Sequence, residues 1–460
     1  MATGSAERLV RRVWAELSRA PSELDALGTL PEAPLPARLD VSGLAVGAVA
    51  AASLAAASKV GGGLGAGRLR LDGDRIAAAF TEDRVFRWNG ERPDVRAPLS
   101  GFWCAADGWV RTHGNYPHHA RALRRVLGVP ESAGSDEVAA AIRDRRAEEL
   151  SAAVTAAEGL CVVVRAEDPP VDAELLERPL IEVTSLGAAS ARRRPRSTDA
   201  AAAPLAGVRV LDLTRVIAGP VATRTLALLG ADVLRVDPPE PAELGWQHVL
   251  MGAGKRSTIL DVRRASDAAT FNMLLGSADV VVLGYRPASL ARHRLDPWSL
   301  VAWHPGLVIA QLSAWGFDGD EAERAGFDSL VQAASGIAFV EGEPDRPGAL
   351  PAQALDHGTG YLLAAAVITL LERQSSEGGS WLARMTPRRT ASELLAMPRT
   401  AELEPAAALS GHEHPAQAAE VSGAIGELRL VRPAIVLQSP LEEWPAAPHR
   451  WGSDRPEWRG

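Results

Sequence analysis

Asp356 is the side chain in this sequence whose setting best suits chemistry. In ALDHGTG (354–360) it stands immediately before an apolar run, and the spacing predicts a helix of about 15 residues from Thr359 to Arg373. Asp is a good residue to cap such a helix, because its oxygens accept bonds from the free amides of the first turn. The same place suits a nucleophilic carboxylate: the helix dipole and amides would keep it ionised, and Gly358 and Gly360 would leave open space beside it. Both readings follow from residue type and position.

A second set of candidates is cationic. Arg235, Lys255, Arg256, Arg263, Arg286 and Arg292 lie behind segments that read as strands. Several sit at or just beyond strand ends, where a doubly wound sheet binds ligands, and together they point to an anionic, phosphate-bearing ligand. Among the 49 basic residues only Lys59 and Lys255 are lysine, so phosphate binding would rest mainly on arginine forks. His113, His118 and His119 lack an acid or cysteine at ligand spacing and read as surface histidines, so no metal site is expected. The glycine run 61–67 lacks a following Lys-Ser/Thr and reads as a connector rather than a phosphate loop. Trp103 and Trp109 read as core.

The elements that must position these residues show best in the centre of the chain. VRVLDL (208–213), ADVLRVD (231–237), ADVVVLGY (278–285) and LVIAQLSAWG (307–316) are apolar runs separated by helical intervals. Runs without a polar face, alternating with helices, predict an α/β fold with a doubly wound, Rossmann-like parallel sheet. The first strand-to-helix turn reads VIAGP, not GxGxxG, so neither a nicotinamide nor a flavin cofactor is expected. The preceding block carries an Ala-rich helix (43–58), a hairpin around Asp107-Gly108, helices at His118–Leu127 and Asp136–Ala157, and the strand CVVVR (161–165): a smaller α+β module. Proline-rich and small-residue stretches at Ser18–Pro36, Ala191–Pro204 and Pro398–Glu420 read as linkers.

The expected domains are an N-terminal helix and linker (1–40), the block 41–190, a linker (191–204), the central domain 205–397, a linker (398–420) and a closing segment (421–460). A length of 460 residues fits two or three domains. Two cysteines, Cys104 and Cys161, exclude a disulfide-built or cysteine–zinc protein and fit a reducing compartment. A net charge of −8, with no basic run beyond Arg192-Arg193-Arg194, argues against a nucleic-acid partner. The longest apolar stretch, Gly43–Ser58, is short of the roughly 20 residues of a membrane span, and no signal-peptide core is visible. A cytoplasmic protein without a membrane partner is expected.

An internal echo is also present. LDVSGLAVGAVAAASLAAASKVGGG from Leu39 resembles LDHGTGYLLAAAVITLLERQSSEGGS from Leu355, each a Leu-Asp, a small-residue helix and a glycine exit.

PLAGVRVLDLTRVIAGPVATRTLALLGADVLRVDPP, GKRSTILDV, ADVVVLGYRPASLARHRLD, HPGLVIAQLSAWG, GFDSLVQAASG and ALDHGTGYLLAAAVITLLER, in that order over about 204–380, resemble the class III CoA-transferases (CaiB/BaiF type). GELRLVRPAIVLQSP resembles that family's C-terminal segment. LSGFWCAADGWVRTHGNYPHHARALRRVLGV and CVVVRAEDPPVDAELLERPLIEV resemble the start and end of its small domain, so the halves look duplicated or permuted.

The resemblance implies coenzyme A or acyl-CoA as substrate and a carboxylic acid as acceptor. It places the catalytic aspartate at Asp356, adenosine and phosphate contacts at Leu260, Arg263 and Arg292, and Arg286 within YRPAS. Asp40, in the echo, is expected to be structural. Family members form interlocked dimers; a chain holding both threading elements is expected to be a homodimer or a compact monomer. Two departures stand out. Ile217 replaces a glutamine of some members, and Phe327 holds the place of the histidine used by the racemase branch, which disfavours α-proton transfer. The expected activity is acyl-CoA:carboxylate CoA transfer. A non-catalytic CoA-binding protein and an acyl-CoA isomerase or racemase on the same scaffold are the alternatives.

Overall fold

The computed structural model describes residues 2–60, 65–95, 97–192, 203–343, 345–400 and 415–459. Most of the two later linkers and part of the 61–67 glycine run therefore lie outside the described residues.

Among the described residues, thirteen strands form three sheets. In chain order they are β1 (Arg87–Trp88), β2 (Gly101–Ala105), β3 (Gly108–Thr112), β4 (Cys161–Val163), β5 (Glu182–Gly187), β6 (Arg209–Leu213), β7 (Asp232–Asp237), β8 (Arg256–Ile259), β9 (Val280–Leu283), β10 (Val308–Leu312), β11 (Ser380–Met385), β12 (Ala418–Gly423) and β13 (Gly426–Val431). The main sheet runs β5-β11-β10-β9-β6-β7-β8, parallel except for β5, which pairs antiparallel with β11. The chain winds outward from β6 through β7 to β8, then returns to place β9 on the other side of β6, with Val210 and Leu211 opposite Val280 and Val281. The switch of winding direction thus falls between β6 and β9. β9 and β10 are buried at every residue, as continuous apolar runs covered on both faces must be. The sheets β2-β3-β4 and β1-β13-β12 are antiparallel.

The central helix (Ala354–Glu377) is buried without a break from Ala354 to Leu371. It is long and apolar enough to cross a membrane, but here it is the core of the fold. Helix Ala218–Leu228 packs on one side of it, and the Ala-rich helix Val41–Ala57 on the other. The two echoing segments therefore pack against each other, with Gly358 against Leu44. Arg224 and Glu82, both buried, form a forked ion pair at 2.8 and 2.9 Å that ties the helix Ala218–Leu228 to the N-terminal block.

Several elements depart from expectation. The central helix starts five residues before Thr359, with Gln353 at its cap position, and Asp356 lies within its first turn. The N-cap role falls instead on Asp40, whose Oδ1 accepts from the Gly43 amide at 2.7 Å. The segment 136–157 is two helices, Ser135–Arg143 and Ala147–Ala156, the second cornered by the Ala147 amide donating to Asp107. The interval 287–304 is also two helices, because Asp296 caps a new start at Pro297.

The open space expected beside Gly358 and Gly360 is filled. A Cβ on Gly360 would stand 2.6 Å from the Ala218 carbonyl and 2.7 Å from the Val221 side chain, whereas one on Gly358 would meet only the Leu44 side chain at 3.3 Å. Gly360→Ala is therefore expected to destabilise the protein by about 1–3 kcal/mol despite its better helix propensity. Gly358→Ala should stay within about 1 kcal/mol of the parent. Urea unfolding of the two variants side by side checks the contrast.

Candidate active site

The carboxyl ends of β6, β9 and β10 open into a cleft of about 500 Å³ at the switch point. Thr214, Gly284 and Ser313, the residues that follow those strands, line it. Space at Gly284 is tight: a Cβ would stand 3.1 Å from the Thr214 side chain. The opposing wall comes from the N-terminal block, through Tyr116, His118, His119 and the stretch Gly159–Val162. Both halves of the chain build one cleft.

Asp356 lines this cleft with 7% of its surface exposed. Its neighbour is a second buried carboxyl, Asp328, at the start of the helix Asp328–Ala334. Asp328 Oδ2 accepts the Asp356 amide at 2.8 Å, and its Oδ1 accepts from Gln332 Nε2. Gln332 is in turn fixed by the Leu350 amide, at 2.9 Å. Asp328 thus supplies the acceptor for the helix start that Asp356 was expected to supply for itself. Burial, and then the Asp328 charge, push the Asp356 carboxyl well above its ordinary value. Burial carries Asp328 up to about 6 against the lowering effect of its hydrogen bonds. The expectation that helix amides keep Asp356 ionised is corrected: two carboxyls share a dry site, and the amide goes to the other one.

On the far side of the cleft, Arg215 follows β6 and belongs to a pinned cluster. Its Nε donates to Glu243 at 3.3 Å, and its guanidinium lies over the Tyr116 ring, 5.4 Å from the centroid. Glu243 also accepts from Arg235 at 2.8 Å and from the Tyr116 hydroxyl at 2.5 Å. Burial alone would raise Glu243, but Arg235, Arg215 and that hydroxyl outweigh it and hold the carboxyl at about 2. The next residue, Val216, has φ +70°, an unfavourable conformation for a β-branched side chain.

The three histidines are not surface residues. His113 is half-buried and stacks on Phe327 with centroids 4.0 Å apart; desolvation lowers it to about 3. His119 lines the cleft and is likewise lowered to about 3, chiefly by burial. His118 lines it too and is lowered for the same reason. Cys161, the other nucleophile type in the cleft, is pushed up to about 12 by burial and stays a thiol.

Of the sequence candidates, the cleft brings together Asp356 and Arg286, the latter donating to the Glu323 carbonyl at 3.3 Å. Leu260 is buried in the apolar cluster beneath β7 and β9. Arg263 is exposed and forked onto Asp261 at 2.8 and 3.0 Å, and Arg292 ends the helix Pro287–Arg292 on the surface. None of these three lines the cleft. The wider arginine set also divides. Arg235 pairs with Asp237 and Glu243, Lys255 with Asp212, and Arg256 with Asp232, so these cations serve internal ion pairs. Sequence reasoning missed Asp328, Tyr116 and Arg215. The one available signal was that Arg215 stands two residues beyond β6, in the turn into the next helix. Among the described residues no group of three or more His, Cys, Asp or Glu stands together as a metal site.

An open doubly wound sheet with a carboxyl at its switch-point cleft defines an α/β protein with that carboxyl where such folds bind ligands. Residues 205–422 match the model of CoA-transferase family III. It is 34% identical to a succinate–glutarate CoA-transferase of Agrobacterium fabrum, over 31% of this chain and 40% of that protein. It is 32% identical to a probable fatty acyl-CoA transferase, Rv3272, of Mycobacterium tuberculosis, over 38% and 48%. It is also 32% identical to a succinyl-CoA–D-citramalate CoA-transferase of Chloroflexus aurantiacus, over 41% and 49%. A solved CAIB/BAIF family protein from Brucella suis aligns at 28% identity and a TM-score of 0.39, over 49% of this chain and 65% of that one. The chain matches less than half the length of these curated relatives.

The raised carboxyls carry a stability signature. A carboxyl whose folded value exceeds its unfolded one favours folding at low pH, and that advantage is lost as pH rises through the folded value. Asp356→Asn removes one charge and relieves Asp328. It should therefore stabilise the protein at about pH 8, by about 0.5–2 kcal/mol. The gain should shrink as pH falls from there toward the ordinary aspartate value near 4. Melting temperatures of both proteins across that range check this.

Proposed function

We propose that the protein is an acyl-CoA:carboxylate CoA-transferase with Asp356 as its nucleophile. The observation that carries the reading is the carboxyl of Asp356 on the lining of the switch-point cleft, in a segment that matches the model of CoA-transferase family III. The transferase names of the relatives support the same class of chemistry.

The ionised Asp356 attacks the thioester carbonyl of the donor, forming a mixed anhydride and expelling CoA as its thiolate. The thiolate then attacks the aspartyl carbonyl, releasing the donor acid and leaving an aspartyl-CoA thioester. The acceptor carboxylate attacks that thioester, and the returning thiolate takes the new acyl group and frees Asp356. Every step exchanges one acyl bond for another, so no outside energy source is consumed. The dry surroundings that raise Asp356 also make its ionised form a stronger nucleophile, since it is poorly solvated. Arg286 and Arg324, both on the cleft, are the cations nearest at hand for the diphosphate of CoA. The mouth between the two halves of the chain admits the acyl group from the side of Tyr116 and His119.

A second reading has one observation in its favour. His119 shares the cleft with Asp356, and burial keeps its imidazole neutral, which leaves an unprotonated though weakly basic ring nitrogen. That pair would serve α-proton exchange on an acyl-CoA, and deuterium wash-in at the α-carbon without CoA exchange would identify it.

Mass spectrometry after incubation with a panel of acyl-CoA thioesters tests the main reading. An adduct on Asp356, reducible by borohydride and cleaved by hydroxylamine, is expected; Asp356→Asn should form none while still binding CoA. Absence of any adduct or exchange in a protein that binds CoA overturns the reading.

The rate should fall on acidification as Asp356 takes up its proton. Asp328→Asn removes the neighbouring charge that helps hold Asp356 high, so the acid limb of the rate profile should move to lower pH. A pH–rate profile of the variant measures that displacement.

A further inference from the structure

The turn from β6 into the helix Ala218–Leu228 holds a cation that the fold secures but does not use up. Arg215 keeps only 12% of its side chain exposed, and its one protein acceptor is Glu243, reached through Nε. Its Nη2 is buried and has no hydrogen-bond partner among the described residues. A buried donor without an acceptor is a cost that native structures avoid unless something else supplies the acceptor.

The support beneath it is elaborate for a surface turn. Glu243 is anchored independently by Arg235, by the Tyr116 hydroxyl and by the Leu244 amide, so the carboxylate that steers Arg215 cannot follow it elsewhere. The Tyr116 ring backs the guanidinium plane. Val216 is held at φ +70°, a conformation that only surrounding structure can impose and that marks functional turns. The guanidinium edge left over belongs to a residue on the wall of the cleft that also holds Asp356.

We propose that Arg215 is a ligand-binding residue for an oxyanion carried by the substrate, either the far carboxylate of a diacid or a phosphate of CoA. This rests on the CoA-transferase reading above. A planar guanidinium whose Nη edge lacks a protein acceptor matches a carboxylate or phosphate by two parallel bonds, which an ammonium cannot reproduce. The assignment makes Arg215 a determinant of which ligand the cleft accepts, separate from the nucleophile.

Titration calorimetry on the full chain tests it with three probes: CoA, glutarate, and pentanoate as the acid of equal length with one carboxylate. They are applied to the parent, Arg215→Gln and Arg215→Lys. If the oxyanion is a diacid carboxylate, Arg215→Gln weakens glutarate by about 10–100-fold and leaves pentanoate and CoA unchanged. If it is a phosphate, CoA weakens by a similar factor and the two acids keep their ratio. Arg215→Lys should fall between parent and Gln in either case, and it supplies the reading if the Gln variant does not fold. Unchanged binding of all three probes in a folded variant overturns the proposal while leaving the transferase reading intact. A parent chain that binds neither CoA nor either acid overturns the transferase reading, and this inference with it.

Discussion

Two carboxyl groups cannot both carry charge cheaply in a place from which water is excluded, and this chain sets Asp328 and Asp356 together in such a place. The arrangement follows from how the central helix begins. Its first amides need acceptors, and Asp328, arriving from another helix, provides one. That contact leaves the Asp356 side chain free of capping duty and turns it to the cleft. Charge on either group opposes charge on the other, so the site stores a preference for protons that an exposed aspartate would lack. The helix start, the cleft floor and the acid–base character of the site are consequences of one pairing.

The rest of the molecule serves to keep that pairing dry and reachable from one side. The central helix has no solvent face over most of its length, because the Ala-rich helix Val41–Ala57 and the helix Ala218–Leu228 flank it. Such close approach needs small residues: Gly360 lets the Ala218 carbonyl within contact distance. The buried Arg224–Glu82 fork joins the two parts of the chain where neither charge could be left alone without a large penalty. The N-terminal block then returns over the carboxyl ends of the strands, bringing Tyr116 and the histidines to the open side of the cleft. Its strand β5 also extends the main sheet at the β11 edge.

Electrostatics sorts the many arginines into two groups. Arg235, Lys255 and Arg256 stand on or beside strands of the main sheet, yet each is paired with an aspartate of that sheet. Arg215, Arg286 and Arg324 occupy the cleft itself. Position along a strand was visible in one dimension; the acidic partner across the sheet was not. The histidines show the same limit, since His113 is half-buried by stacking on Phe327, which is more than two hundred positions away.

The sequence alone determined what depends on neighbours a few residues apart. Continuous apolar runs separated by helical intervals specified the parallel sheet, because strands covered on both faces admit no polar side. The order of motifs around Asp356 carried the resemblance to class III CoA-transferases, and residues 205–422 match that family's model. What it could not decide was the state of that carboxyl, or the company each cation keeps. Those depend on desolvation and on charges brought within a few ångströms by packing between distant segments, and both fall off too steeply with distance to leave a trace in local spacing. The first turn of the central helix is the clearest instance: an aspartate there reads as a cap until another aspartate, 28 positions earlier, takes the amide instead.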